Sequence, residues 1–303
     1  MIKYNQTPIK VITGVTREIA VFQTEGNTTS NIDASVVASF GEEWTKFQSF
    51  NEEDVTQIGE LYFDILNDEI INKNTKAIDI GCGTGRWTKY LLDKIGFVEA
   101  VDPSNAIFSA DRLLGDAVNV RLSKASTDNL PFADETFDFG MSIGVLHHIP
   151  NTQKALNDCV KKIKVGGYFY IYLYYALDNR GLIFRFIFQI SSVLRKVISI
   201  LPSFFKKIIC DIIAIMVYLP FVCIGKLMNF VGLKKVADRL PLRFYQDKSF
   251  FIIRNDALDR FGTSLEQRFS REKVISMMQT AGLQEIKVSD GEPYWHAIGK
   301  RYS

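Results

Sequence analysis

The sequence predicts an α/β protein built on a doubly wound, largely parallel sheet with helices on both faces. Two observations predict it. Short apolar runs of strand length alternate with helix-period segments from about residue 53 to residue 174, and the first of those strands enters a turn with three alternating glycines. Parallel neighbours need a crossover, usually a helix, and sheets wound this way bind ligands at the carboxyl ends of their strands. With 303 residues and 47% hydrophobic side chains, the chain can bury one large core and carry an accessory region besides.

Residues 1–50 read as an N-terminal extension, β-branched from Ile9 to Phe22 and turn-rich from Gly26 to Asn31. Apolar residues at Val55, Ile58, Leu61, Tyr62, Ile65 and Ile70 keep helical spacing, which predicts a helix over 53–71. Strands are then expected at 77–80, 97–101, 118–122, 137–143 and 167–174, with helices at 86–92, 105–114 and 152–163 between them. Near the end, Ser270 is the expected cap of a helix over 274–281 stopped by Gly282, followed by strands at 285–288 and 295–299. The cofactor-binding core is therefore placed at 51–175. A helical apolar insertion follows at 176–245, and 246–303 completes the core.

The stretch Asp79-Ile80-Gly81-Cys82-Gly83-Thr84-Gly85-Arg86 joins strand to helix, and glycines there let a backbone approach a ligand closely. Seventeen residues past Gly85, at the end of the next strand, Asp102 is suited to accept hydrogen bonds from two ribose hydroxyls. A dinucleotide fingerprint needs glycine three places after Gly83, where Arg86 stands, so the spacing is G-x-G-x-G rather than G-x-G-x-x-G.

That form resembles the first motif of the class I S-adenosylmethionine-dependent methyltransferases, a Rossmann-like fold of seven strands with the last one antiparallel. Asn129-Leu130-Pro131-Phe132 with Phe137-Asp138, Gly144-Val145-Leu146-His147-His148-Ile149, and Lys164-Val165-Gly166-Gly167 resemble later stretches of the same family, so the likeness covers residues 75–175. It implies S-adenosylmethionine as cofactor. Asp79, Gly81, Cys82, Gly83 and Gly85 would hold its methionyl end, Asp102 its ribose, and Ser126 and Thr127 its adenine, with Ser142 lining the same site. The family often carries an acidic residue where Ser126 stands, so adenine recognition is expected from the backbone near Thr127, helped by Asp128.

The same resemblance puts the transferable methyl group near the end of the fourth strand, where His147 and His148 follow. One of them is a candidate general base for a hydroxyl acceptor; the other reading is that one packs locally while its neighbour faces solvent. Tyr174, Arg260, Arg268 and Tyr294 are candidates for the acceptor pocket. Either arginine suits an anionic group, and salt bridges with Asp259 and Glu266 are the alternative.

Net charge of +2 excludes a general nucleic-acid-binding role, and no stacking platform accompanies the basic residues. Four cysteines without CxxC spacing argue against a metal site and a disulfide scaffold, and the N-terminus lacks a signal-peptide pattern. A cytoplasmic protein is expected. Nine basic residues against one acidic, Asp211, fringe the apolar run from 180 to 235, which suits either a lid over the substrate or a peripheral contact of 182–233 with the inner membrane face. Ile208 to Ile224 is short for a spanning helix and contains Pro220. The insertion and the late Asp-Arg-Phe-Gly-Thr stretch also resemble methyltransferase-domain proteins that accompany surface-polysaccharide genes. The acceptor is accordingly expected to be a small molecule or a lipid- or sugar-linked one. The rival readings are a nicotinamide-dependent oxidoreductase and an inactive membrane-associated interaction protein of the same fold.

Overall fold

Strand alternation and helix periodicity resolve, in the computed structural model, into two units: residues 1–178 with 265–303, and residues 179–264. The structure describes residues 2–22, 31–45, 52–178, 181–238, 240–246, 250–262 and 265–302.

In the first unit the chain order is β1 (Lys10–Thr13), β2 (Glu18–Val21), α1 (Ala34–Thr45), α2 (Glu52–Tyr62), β3 (Lys76–Ile80), α3 (Arg86–Leu91), β4 (Phe97–Val101), α4 (Ile107–Leu114), β5 (Val120–Lys124), β6 (Phe137–Ile143), α5 (Thr152–Val160) and β7 (Ile163–Tyr172). The second unit supplies α6 (Leu182–Ser199), α7 (Ser203–Ile213), α8 (Leu219–Phe230), α9 (Lys234–Ala237) and α10 (Phe250–Gly262). The chain then returns to the first unit with α11 (Arg271–Thr280), β8 (Leu283–Val288) and β9 (His296–Arg301).

Among the described residues one sheet of nine strands forms, ordered β1-β2-β5-β4-β3-β6-β7-β9-β8. The strands from β2 to β7 pair in parallel, whereas β9 runs antiparallel to both β7 and β8. The expected seven strands are there, and the sheet is wider by the β1–β2 hairpin. Asp111 on α4 explains the extra width: its carboxylate accepts from the backbone N–H groups of Val15 and Thr16, from the Thr16 hydroxyl at 2.6 Å and from Arg17 at 3.2 Å, which pins the hairpin turn. Burial raises the Asp111 carboxyl, but these donors outweigh it and hold the group below its ordinary value.

Successive residues of β3 point to opposite faces. Ile78 and Ile80 pack with Leu156, Val160 and Met277 beneath α5 and α11, while Ala77 packs on the other face with Trp87, Leu91 and Ile107 of α3 and α4. Asp79 shares the second face and is 1% exposed. The helix expected over 53–71 stops at Tyr62, because side chains of Asn67 and Asn72 capture the N–H groups of Ile70 and Asn74 and favour turns. Ser270 caps α11 by accepting from the Lys273 N–H at 3.2 Å.

The second unit has its own core of Ile198, Cys210, Ala214, Tyr218, Val222, Ile253, Ala257 and Phe261. It extends to residue 264 rather than the expected 245, because Ile253, Ala257 and Phe261 give α10 a face to bury among these residues rather than in the sheet. A π turn at Ala214–Tyr218 joins α7 to α8, so one helix runs past Pro220. The looser π turn accommodates a residue that has no N–H to donate and whose ring crowds the preceding turn.

Gly140 in β6 tests the tightness of the sheet. A Cβ there would stand 2.5 Å from Ile163 Cδ1 and 3.0 Å from Phe169 Cδ2. Gly140→Ala is expected to destabilise the protein by about 1–3 kcal/mol. Differential scanning calorimetry should show the midpoint falling by about 2–4 °C per kcal/mol.

Candidate functional site

The glycine turn between β3 and α3 is tied to the end of β4. Gly81 and Cys82 donate their N–H groups to the Val101 carbonyl at 2.7 and 3.0 Å, and Gly83 donates to Asp102 Oδ2 at 2.8 Å. Gly81 and Gly83 have φ of +79° and +54°, a region that side chains disfavour. A Cβ on Gly81 would meet Val145 at 2.5 Å, whereas one on Gly83 would find no atom within 4 Å. Gly83 thus presents bare backbone to open space beside the strand ends. Gly85 starts α3, and Cys82 turns its side chain into the core, where burial first, and then Asp102 and Asp79, raise its thiol far above the ordinary value. Cys82 can offer a ligand its backbone only.

Asp79 is the most informative group. Its Oδ2 accepts from Thr88 Oγ1 at 2.6 Å, while its buried Oδ1 has no hydrogen-bond partner among the described residues. Burial, resisted by the Thr88 hydrogen bond and aided by Asp102, pushes the carboxyl up to about 7. A buried carboxylate oxygen without a donor is costly unless a cation supplies one, and the methionyl ammonium of S-adenosylmethionine is such a cation. The site therefore fits the cofactor that the sequence implied.

Asp102 is oriented by Ser104, whose N–H and hydroxyl donate to Oδ1 at 2.8 and 2.6 Å. With the Gly83 N–H, three of a carboxylate's roughly four acceptor positions are filled. A grip on two ribose hydroxyls therefore requires the Gly83 N–H to yield its place. Ser126 and Thr127 lie buried at a 3₁₀ turn after β5; the Ser126 hydroxyl donates to Asp128 Oδ1, and Asp128 Oδ2 accepts from the Asn31 N–H at 2.9 Å. Each oxygen of Asp128 thus accepts one hydrogen bond within the fold. Ser142 is fully buried, donates to the Ile80 carbonyl at 2.9 Å and links β6 to β3.

Past the end of β6, His147 and His148 meet Tyr174, which follows β7. The His147 ring stacks on Tyr174 with centroids 3.9 Å apart and lies 4.1 Å from the His148 ring. Neither histidine faces solvent, contrary to one sequence reading: they are 0% and 6% exposed. His148 Nδ1 bonds the Leu265 carbonyl at 2.7 Å, whereas both ring nitrogens of His147 lack a hydrogen-bond partner among the described residues. Burial, then the charges of His148 and Arg268, push His147 well below its ordinary value, so it remains neutral with a lone pair available.

Arg268 joins this corner, its guanidinium 5.2 Å from the Tyr174 ring centre and paired with Glu266 at 2.7 Å, as the salt-bridge alternative foresaw. Tyr294 packs with Tyr175 and Trp295 at 5.2 and 5.0 Å. Arg260 lies on α10 in the second unit. Sequence reasoning missed Thr88, Ser104 and Gln267. Ser104 had a signal, a hydroxyl two residues past an aspartate at a strand end, which makes a local turn. Gln267 had none: it bonds the Ile149 carbonyl at 2.7 Å and Thr152 Oγ1 at 3.1 Å from more than a hundred residues away.

This sheet order, antiparallel last strand, glycine turn and acidic strand ends are those that the resemblance to class I S-adenosylmethionine-dependent methyltransferases implied. Residues 78–171 match the family described as "Methyltransferase domain". Similar curated proteins include demethylmenaquinone methyltransferases of Geobacillus sp. (strain WCH70), 32% identical over 110 residues, and Staphylococcus aureus (strain JH9), 33% identical over 108 residues. Those matches cover 32% and 34% of this chain and 44% of each relative, so the chain spans less than half the length of the relatives it matches. Human N-acetylserotonin methyltransferase, solved in complex with S-adenosylmethionine, shares the fold with a TM-score of 0.50 and 10% identity, covering 87% of this chain and 57% of that one.

The raised Asp79 carboxyl gives a pH dependence with a definite sign. In the free protein it is protonated below about 7, and a bound ammonium favours its ionised form. Cofactor binding below pH 7 should therefore release a proton, with affinity falling ~10-fold per pH unit as pH drops. Without cofactor, the same raised value stabilises the fold at low pH, and that contribution is lost as pH rises through about 7. Calorimetric titration of S-adenosylhomocysteine in buffers of different ionisation enthalpy checks the proton release, and Asp79→Asn should abolish it.

Proposed function

We propose that this protein transfers the methyl group of S-adenosylmethionine to a small-molecule acceptor by in-line displacement. The observation that carries the reading is the buried, half-satisfied Asp79 carboxylate beside a glycine turn whose central residue opens onto free space. When bound, the sulfonium cofactor supplies an activated methyl group, and the protein's work is chiefly alignment. Asp79 orients the methionyl end and Asp102 the ribose. The neutral His147 is suited to take a proton from a hydroxyl acceptor, held against Tyr174 for that purpose. The name of the curated relatives, demethylmenaquinone methyltransferase, supports a small molecule as acceptor. The apolar surface carried by the second unit favours one attached to a lipid or a lipid-linked sugar.

Calorimetric titration with S-adenosylhomocysteine tests the cofactor half of the reading, with NADH titrated in parallel. Tight product binding that Asp102→Ala weakens by at least tenfold is the expected result; preference for NADH, or no binding to either, overturns it. The base is tested by turnover of labelled methyl groups on a panel of hydroxylated acceptors, demethylmenaquinone included. His147→Phe, which keeps the stack on Tyr174, should lower kcat by about 10²–10⁴-fold while leaving product affinity unchanged.

A further inference from the structure

We propose that the second unit lies in the plane of an anionic lipid membrane, inserting the outer faces of α6 and of the α7–α8 helix. The inference rests on that unit alone and is independent of the methyl-transfer reading.

The helix Phe204–Phe230 is 27 residues long and apolar enough to cross a membrane, yet only 28% of that apolar window is buried within the protein. A core helix of a water-soluble domain buries most of such a surface. Here one stripe is used: Cys210, Ala214, Tyr218 and Val222, four residues apart and kept in line by the π turn, pack with α10. The opposite face carries Phe204, Ile208, Ile212, Ile215 and Met216, all exposed. Helix α6 repeats the pattern, with Phe186, Ile190, Val193, Val197 and Ile200 exposed along one side. A monomer in water rarely leaves so much contiguous apolar surface bare.

Charge decides what covers it. Lys196 on α6, Lys226 on α8 and Lys234 and Lys235 on α9 are exposed, Lys206 and Lys207 on α7 are half-buried, and Asp211 is the one acidic residue from 180 to 235. A second copy of this surface would bring like charges together, whereas anionic head groups over an apolar interior match both features.

The arrangement also distinguishes lying on the bilayer from crossing it. At about 40 Å the helix is longer than a span requires. Its buried stripe holds α10, and Arg254 of α10 forms a two-point ion pair with Asp211 at 2.5 and 2.8 Å that is partly exposed. A spanning helix would carry this pair into hydrocarbon, where such groups are expensive. In the plane of the interface the pair lies at the edge of the inserted face, within reach of water, with Ile212 and Met216 toward the acyl chains.

Flotation of the full chain with phosphatidylcholine vesicles, with and without phosphatidylglycerol, tests the proposal. The expected result is flotation with the anionic vesicles alone, weakened by salt, lost in Phe204→Gln/Met216→Gln, and reduced about fivefold in affinity for each lysine removed in Lys234→Gln/Lys235→Gln. Retained binding of S-adenosylhomocysteine and an unchanged circular dichroism spectrum show that the variants are folded; should the cofactor fail to bind the parent chain, the spectrum alone serves. Equal flotation with neutral vesicles, or apolar variants that still float, overturns the proposal. So does a stable dimer by sedimentation velocity that ignores vesicles. An impermeant amine reagent completes the test: Lys206 and Lys234 should react from the same side of the vesicle, and protection of one of them means a spanning helix and refutes the in-plane arrangement.

Discussion

The Val101 carbonyl accepts from both Gly81 and Cys82, and through that junction the turn after β3 is fixed to the end of β4. Two positive-φ glycines make the approach sterically allowed, and the hydrogen bonds make it the preferred one. Asp79 and Asp102, which end adjacent strands, are thereby held at fixed places around a stretch of bare backbone. Neither carboxylate could be set so without the sheet register that pairs Ile80 with Val101. The parallel strands and their crossover helices deliver that register, and the N-terminal hairpin widens the sheet without altering it.

Two kinds of polar group are left at the strand ends, and they differ in electrostatic character. Asp79 is an acid that burial keeps near neutrality until a cation arrives, while His147 is a base that burial keeps neutral until a proton donor arrives. Among the described residues each lacks a hydrogen-bond partner on at least one atom. In a core where most polar groups are paired, such exceptions call for a ligand or a catalytic use. A cationic cofactor would satisfy the first and a protic acceptor the second.

What the sequence revealed followed the range of the interactions that encode it. The strand β6 was legible to the residue because apolar content and flanking turns act locally, and the Asp79-to-Gly85 turn because glycine is demanded at fixed spacing. The capping of α11 by Ser270 was equally local. The partners that set side-chain roles were mostly distant in sequence. Asp111 holds a hairpin nearly a hundred residues away, and this pairing turned a β-rich preface into two strands of the sheet. The bond from the Ser142 hydroxyl to the Ile80 carbonyl joins residues 62 apart in sequence and had no local signal. Arg268 had a partner within two residues, and there local reasoning identified the ion pair.

The second unit shows the same limit from the other direction. Composition declared it apolar and basic, but composition cannot say which apolar residues find partners inside the protein. Tyr218 and Gly225 are buried, whereas Phe204, Met216 and Phe230 of the same helix are largely exposed. The π turn sharpens the division: its wider winding keeps the Cys210–Val222 stripe together across a length over which an unbroken α-helix would rotate it away. Helix α10 then covers that stripe with Ile253, Ala257 and Phe261 and leaves the apolar remainder facing out. Hydrophobicity in this segment is spent unevenly by construction, a small part on holding the unit together and the larger part on a surface that water alone does not stabilise.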